Sequence, residues 1–105
     1  MNRYLIDGII HDLANGHNIA INLPGRQARE IFKECLNKIG PIFIERSTLA
    51  NGREEIRLTN NAYLKIIRTE IGLRGLTPDV LITDDSHDLE TWQSIHATGA
   101  EVIRM

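Results

Sequence analysis

The stretch LRGLTPDVLITDD, residues 73–85, decides the fold that this sequence predicts. Pro78 ends any preceding helix or strand, because its ring fixes φ and removes a hydrogen-bond donor. The apolar run Val80–Ile82 is typical of a short strand that is buried on both faces of a parallel sheet. Two carboxylates, Asp84 and Asp85, follow at once, and α/β sheets bind ligands at the carboxyl ends of their strands. The stretch therefore predicts a central strand with a candidate ligand site at its end.

The composition is that of a single ordinary domain, residues 1–105. Hydrophobic residues make up 42% of the chain and charged residues 25%, and the net charge is −2. This charge does not favour a general nucleic-acid-binding surface. The single cysteine, Cys35, excludes an internal disulfide and favours a reducing compartment. No apolar run approaches the ~20 residues of a membrane span, so we expect a cytoplasmic protein.

Three segments predict helices, because apolar residues recur in them at helical spacing. The first is residues 2–15, with Gly16 as its C-cap. The second is residues 25–39, whose apolar stripe contains Cys35. We expect Cys35 to be a small buried hydrophobe rather than a reactive thiol. The third is residues 88–97, where the inward positions are Leu89, Trp92 and Ile95.

Strands are predicted at residues 18–23, 42–45, 80–82 and 101–105. Residues 56–67 alternate between apolar and polar around Asn60-Asn61, and Asn tolerates the positive φ of a tight turn. This segment predicts a β-hairpin, and the alternative is a helix from Ala62 to Ile71. Strands that alternate with helices imply a parallel sheet covered by helices. The predicted fold class is therefore α/β: a three-layer sandwich with a mostly parallel sheet and one β-hairpin.

The order of these segments resembles the core of phage large terminases and helicase-type P-loop ATPases. In that family an Arg-Gly pair, here Arg74-Gly75, often precedes the aspartate-bearing Walker B strand. Residues 4–16, 18–29 and 57–66 match, in order, the helix after the phosphate loop, the motif Ia segment and the hairpin. The resemblance implies a P-loop NTPase-like fold in which Asp84 would order Mg²⁺ and Asp85 would activate water. The family usually has Asp-Glu where this chain has Asp-Asp.

One motif of the family is missing from these 105 residues. No Gly-x-x-x-x-Gly-Lys-Ser/Thr occurs, and by Met1-Asn2-Arg3 that phosphate loop should already have ended. The loop supplies the backbone N–H groups and the lysine that hold a triphosphate, and Mg²⁺ usually completes its site with substrate phosphates. The resemblance thus implies a truncated, degenerate ATPase core without a cofactor. The alternatives for the acidic pair are a Mg²⁺ site at Asp84 and Asp85, or a helix cap formed by Asp85 or Ser86.

Other charged residues are weaker candidates. Arg26, Arg29 and Lys33 share one face of the second predicted helix, where they could contact a nucleic-acid backbone as motif Ia does in helicase-like relatives. The alternative is a solvated face, because Glu30 and Glu34 are interleaved with them. Arg74 is expected either to reach a neighbour's phosphate or, by preference, to pair with an acid such as Asp79. The four histidines, of which only His87 lies near the acidic pair, lack metal-ligand spacing, so no zinc site is predicted.

The resemblance also predicts an interface. In related ATPases the strand after Walker B lies beside the phosphate-loop strand, so without that loop it becomes a sheet edge. The strand consists of Glu101, Val102, Ile103, Arg104 and Met105. An open edge is a template for another chain, so we expect it to pair with a second copy or with a strand of a partner.

These expectations lead to one main functional hypothesis: a small, non-catalytic, phage-type interaction protein on a degenerate P-loop scaffold. Its partner would be a protein, such as a host or phage nucleic-acid ATPase. One alternative is the Walker-B-bearing part of a split terminase or helicase. Another is a DNA-binding accessory protein that uses Arg26, Arg29 and Lys33, for which we expect weak, salt-sensitive binding.

Overall fold

The computed structural model describes residues 3–23, 25–50, 54–67, 78–83 and 101–104. Within these ranges the chain forms two α-helices, one short 3-10 helix and a six-stranded mixed sheet. In chain order the elements are α1 (Arg3–Ala14), β1 (Ile19–Asn22), α2 (Gly25–Lys38), the 3-10 helix (Pro41–Phe43), β2 (Ile44–Thr48), β3 (Glu55–Leu58), β4 (Tyr63–Ile66), β5 (Val80–Thr83) and β6 (Glu101–Arg104).

The sheet order is β2-β3-β4-β1-β5-β6. Strands β4, β1, β5 and β6 are mutually parallel, and the pairs β2–β3 and β3–β4 are antiparallel. The chain is therefore an α/β protein, as predicted. Strands β4, β1, β5 and β6 form the parallel part of the sheet. Strands β2, β3 and β4 form an antiparallel meander, so β4 belongs to both parts.

Helix α1 forms as its sequence pattern predicts. Ile6, Ile9 and Leu13 are buried along one face. The helix ends at a left-handed glycine, Gly16, with φ +84°. The Gly16 N–H donates to the Leu13 carbonyl and the His17 N–H donates to the Asp12 carbonyl, at 3.0 and 2.9 Å. These two bonds make a Schellman cap, which satisfies carbonyls that the helix end would otherwise leave open.

Helix α2 buries the predicted stripe, in which Ala28, Ile31, Phe32 and Cys35 have no exposed surface. Burial raises the pKa of the Cys35 thiol from 9.0 to about 12, and the neighbouring Glu34 charge adds to this effect. A thiol with so high a pKa is neutral at physiological pH and a poor nucleophile. The prediction that Cys35 is a buried hydrophobe is therefore confirmed.

The predicted hairpin is confirmed for β3 and β4, which pair antiparallel, and the alternative helix is wrong over Tyr63–Ile66. At its turn Asn61 has φ +72°, a conformation that asparagine adopts more readily than most residues. The Leu58 N–H donates to the Ala62 carbonyl at 2.8 Å. The Asn60 side-chain oxygen accepts the Ala62 N–H at 3.0 Å. The local preference of Asn therefore decides between strand and helix here.

The predicted strand at residues 42–45 is misplaced. Pro41–Phe43 forms the 3-10 helix, and strand β2 runs from Ile44 to Thr48. Pro41 occupies the first turn of that helix, where its missing N–H costs nothing. Ile42 is 82% exposed, so this apolar residue lies neither in the core nor in a strand.

The core lies between the helices and one face of the sheet. The core residues of the two central strands are Ile19, Ile21, Val80 and Ile82. Side chains alternate between the two faces along a strand, so Ala20 and Leu81 point to the opposite face. Both are fully buried as well. The centre of the sheet is thus covered on both faces, whereas α1 and α2 contribute to a single core.

Several predictions fall outside the described residues. They are Arg74, the acidic pair Asp84-Asp85, His87, the helix over residues 88–97 with Trp92, and Met105. Neither of the described helices is both long and apolar enough to cross a membrane.

Candidate functional site

Strand β5 occupies the position that the sequence predicts for it. All four of its residues are buried, and it lies between β1 and β6, parallel to both. Asp84 directly follows Thr83, the last residue of this strand, and Asp85 comes next in sequence, although both lie outside the described residues. The acidic pair therefore follows the carboxyl end of a central parallel strand.

The carboxyl ends of β1 and β5 also form the point where the winding of the sheet reverses. From β1 the chain continues towards β4 on one side, and from β5 it continues to β6 on the other. At this point Asn22 is the register partner of Thr83. Open α/β sheets bind ligands in the crevice at such a switch point. The topology thus places the ends of β1 and β5 where a sheet of this kind would bind a ligand.

The described residues do not by themselves fit a magnesium ion. Asn22 and Thr83 supply only neutral oxygens at this point, whereas Mg²⁺ in proteins is held through one or two carboxylates together with phosphates. Within the described ranges, no three His, Cys, Asp or Glu residues lie close enough together to hold a metal ion. No catalytic step through a metal follows from these residues.

Glu54 was missed by the sequence analysis. It is fully buried, and its carbonyl accepts the Ile66 N–H at 3.1 Å, which places it near the carboxyl end of β4. Glutamate is rarely fully buried in proteins. Glu54 shares the alternation of Ile56 and Leu58, the core residues of β3, and this parity was the signal that could have revealed it.

The three basic residues of α2 have different surroundings and do not form one continuous basic surface. Arg26 is 94% exposed and lies 3.5 Å from Glu30 in an i,i+4 ion pair, a kind of pair that stabilises a helix only slightly. The Arg29 guanidinium donates to the Leu49 carbonyl at 3.2 Å, so it is turned towards the end of β2. Lys33 is exposed. The surroundings of Arg26 therefore agree with the alternative prediction, a solvated helix face on which basic and acidic residues are interleaved.

Among the described strands, β6 lies at one end of the sheet order, and its backbone geometry is defined. The Glu101 N–H donates to the Asp79 carbonyl at 2.9 Å. In a parallel pair, successive residues direct their N–H and C=O groups alternately to opposite sides of the strand. Ile103 therefore faces β5 like Glu101, and Val102 and Arg104 direct their backbone groups away from the sheet. The edge presents two N–H and C=O pairs from its described residues.

The side chains of β6 are only partly covered. Val102 and Ile103 are half-buried, Glu101 is exposed, and Ile103 packs against the core between the helices and the sheet. The side chain of Arg104 and all of Met105 lie outside the described residues. The edge thus combines backbone groups that can pair with another strand and an apolar side chain on each face.

An unforeseen polar node lies at the opposite, amino end of the parallel strands. The Asp79 carboxylate accepts the Asn18 N–H at 2.7 Å, and the Asn18 side-chain oxygen accepts the Tyr63 N–H at 3.3 Å. Burial raises the pKa of the Tyr63 hydroxyl, and the Asp79 charge raises it further. This node ties the starts of β1, β4 and β5 together, so its role is to hold their register.

Comparison with protein-family models finds no match for this chain. Comparisons with curated proteins and with solved structures find no significant similarity either. Function is therefore inferred from the geometry of the chain itself.

Proposed function

We propose that this chain is a small, non-catalytic interaction protein that binds another protein chain by strand addition to β6. The observation that carries the proposal is the outward direction of the Val102 and Arg104 backbone groups on the outermost strand. An edge of this kind pairs readily with a further strand. The half-buried Val102 and Ile103 side chains would then be covered by the added strand.

We further propose that the scaffold is P-loop NTPase-like. The parallel pairing of β5 with β6 supports this idea, because the resemblance to terminases and helicases places the strand after Walker B beside the Walker B strand. The burial of Ala20 and Leu81 on the second face supports a three-layer arrangement. Fold alone does not determine activity, so the proposed function does not depend on the scaffold.

The added strand could come from a second copy or from a different, phage-type partner such as a nucleic-acid ATPase. A two-fold dimer would place two β6 strands antiparallel and extend the sheet across the axis. A cytoplasmic location suits the proposal, because the buried cysteine Cys35 is free and free thiols are typical of reducing compartments.

The test is a pair of substitutions at one position. Val102→Pro removes an outward N–H, and Pro is tolerated on the open side of an edge strand. Val102→Thr keeps the N–H and nearly the same shape, so it is the matched control. We expect wild type and Val102→Thr to associate in light scattering, with masses above the 11.9 kDa of one chain, and Val102→Pro to be monomeric.

Two results would contradict strand addition at β6. One is an association that survives Val102→Pro. The other is a monomeric wild type that retains the same partner from host lysate in both variants. A monomeric wild type that loses its partner only in Val102→Pro would identify the partner, rather than a second copy, as the source of the strand.

A second candidate is the Walker-B-bearing part of a split terminase or helicase. The switch point between β1 and β5 favours it, because Asp84 directly follows Thr83 there. The test is phosphate release from ATP with Mg²⁺, with and without DNA. For a non-catalytic protein we expect no rate above background. A rate that disappears in Asp84→Ala would replace the interaction hypothesis with the enzymatic one.

A further inference from the structure

A cavity of about 440 Å³ lies where the last turns of α1 and α2 meet the end of β3. Its apolar wall and floor include Ile10, Leu13, Ile39 and Leu58, and Phe43 forms part of its rim. Small-molecule sites in proteins are concave, mostly apolar and about 300–1,000 Å³ in volume. The cavity therefore has the size and the lining of a ligand site, and it is distant in the sheet from the β6 edge.

The floor of the cavity is preformed. Leu13, Ile39 and Leu58 are between 1% and 7% exposed and belong to the main core, so their positions are held by packing. On the rim, the Phe43 ring lies against Gly40, where a Cβ atom would approach the ring to 3.3 Å. Phe43 remains 59% exposed, so it offers an aromatic surface that a bound molecule would cover.

The polar groups of the helix end beside the cavity are already satisfied. The Asn60 amide donates to the Leu13 and Ala14 carbonyls at 3.0 and 3.4 Å, and the Gly16 N–H also donates to Leu13. These bonds offset the partial negative charge that an open helix C-terminus would carry. The negative end of α1 therefore contributes little to the charge preference of the cavity.

Lys38 is the one charged residue among the described residues that line the cavity. Its ammonium group lies 3.6 Å from Asp7, and the two side chains are 47% and 64% exposed. An ion pair this exposed is weak, so the ammonium remains able to bind a second anion. The cavity thus joins an apolar chamber to a single cation at its mouth.

We propose that this cavity binds an amphiphile with an apolar body and one anionic head group, of the medium-chain carboxylate class. The apolar body fills the space over Leu13, Ile39 and Leu58, and the head group pairs with Lys38. The proposal is independent of strand addition at β6, and either can fail without the other.

The first experiment compares three probes that share an apolar chain and differ in charge: decanoate, decanol and decylammonium. Each is titrated by calorimetry below its aggregation concentration. We expect binding in the order decanoate, decanol, decylammonium, because only the first places an anion beside Lys38. No detectable binding of decanoate, or stronger binding of decylammonium, would overturn the proposal.

The second experiment separates the head-group contact from the chamber. Lys38→Gln is expected to weaken decanoate about two- to fivefold, as for loss of one exposed charge pair, and to leave decanol unchanged. Lys33→Gln on the same helix is the matched control and should change neither probe. Equal weakening of decanoate by both variants would show a non-specific charge effect and would overturn the head-group assignment.

The third experiment blocks the chamber. Ala14 lines the cavity and is exposed at the last position of α1, so Ala14→Phe fills the mouth without disturbing the core. It should abolish binding of decanoate and decanol, whereas Gln27→Phe at an exposed site on α2 should not. Methyl NMR gives an independent readout, because decanoate should shift Ile10 and Ile39 and leave Ile82 unmoved. Binding that survives Ala14→Phe, or shifts confined to other methyls, would place the ligand elsewhere and overturn the site.

Discussion

The two end strands of the described sheet, β2 and β6, differ in the regularity of their pairing and in the exposure of their side chains. Strand β2 has an irregular register between Ile44 and Arg46, and Glu45, Arg46 and Ser47 are exposed. Strand β6 pairs with β5 in four consecutive register positions without a break, and Val102 and Ile103 are apolar and half-buried. Bulges and charges are the usual devices that keep a sheet edge from pairing with another chain.

The difference favours one edge over the other for the proposed strand addition. Arg46 also lies 3.8 Å from Glu55 of the neighbouring strand, so the charges at the β2 edge are held by its own sheet. A second chain that approached β2 would have to displace these charges and follow a bulge. A second chain that approached β6 would meet a regular backbone. The asymmetry therefore favours β6 over β2 as the edge for the strand addition that we propose.

The largest effect is expected from Ile103→Pro. This substitution tests whether successive backbone N–H groups of β6 point alternately towards β5 and away from it. The Ile103 N–H faces β5, so the substitution removes a bond within the sheet and also removes a side chain packed on the core. We expect a loss of about 3 kcal/mol in the free energy of unfolding, measured by urea denaturation. Val102→Pro, which loses an outward N–H, should lose far less stability. Equal losses would show that the two residues do not alternate.

The ionisation of Cys35 affects unfolding rather than the loss of a partner strand. Cys35 is buried in the core and lies at neither edge of the sheet. Its pKa is raised to about 12 in the fold, so between pH 9 and 12 the unfolded chain binds fewer protons than the folded chain. Stability should therefore fall as pH rises through this window, by at most about 1.4 kcal/mol per pH unit.

The control variant is Cys35→Ala. It should reduce the slope with which the free energy of unfolding falls as pH rises. A shallower slope should remain from Tyr63, whose pKa is raised in the same direction. Denaturation followed from pH 8 to 11 measures both. A wild type and a Cys35→Ala variant with equal slopes would show that Cys35 does not carry this effect.

A moderate effect is expected at the turn that joins β3 to β4, within the meander that also contains β2. Asn61 has φ +72°, a region that costs a residue with a Cβ about 1–2 kcal/mol. Asn61→Ala should thus destabilise the protein by about 1 kcal/mol, whereas Asn61→Gly should be close to neutral, since glycine reaches this region freely. Thermal denaturation of the two variants measures the difference, and identical melting temperatures would argue against this turn conformation.

The smallest effect is expected at Glu55, the residue that holds the charges beside the β2 edge. Glu55 pairs with Arg46 at 3.8 Å and with Arg57 at 3.1 Å. Glu55→Gln should cost about 0.5–1 kcal/mol, and the cost should shrink as salt is added. It should leave the mass of the protein in solution unchanged. A change in association state would mean that β2, rather than β6, is the interacting edge.

Much of the fold could be predicted because its elements carry local signals. Helices α1 and α2 show apolar stripes, Gly16 ends α1, and Asn60-Asn61 favours a turn. Strand β5 is a continuous apolar run because both of its faces are covered. In each case the physical cause of the structure lies within a few residues of the element.

The bounds of strand β2 could not be predicted for the opposite reason. Its sequence, Ile-Glu-Arg-Ser-Thr, is mostly exposed and has no alternation, because an edge strand has little contact with the core. The predicted strand began too early in the chain, because the apolar residue Ile42 was assigned to it. The packing partner that makes residues 44–48 a strand is β3, which begins only at Glu55.

The candidate site was predictable only in outline. The position of β5 and its following carboxylates could be inferred from one stretch of sequence. The switch point could not, because it depends on β1 lying between β4 and β5. The Asn18–Asp79–Tyr63 node and the outward direction of the Val102 backbone also depend on contacts between distant segments. Such contacts leave no periodic trace in the sequence.

The position of β1 has a consequence for synthesis on the ribosome. Ile19 pairs on one side with Leu64 and on the other with Val80, and both partners are translated long after it. A central, largely buried strand therefore emerges before both of its neighbours and remains without them while most of the sheet is still being made. Long-range pairing of this kind slows folding and leaves apolar segments exposed to aggregation. Nascent chains of this protein should accordingly depend on α1 and α2 to cover β1 until its partners arrive.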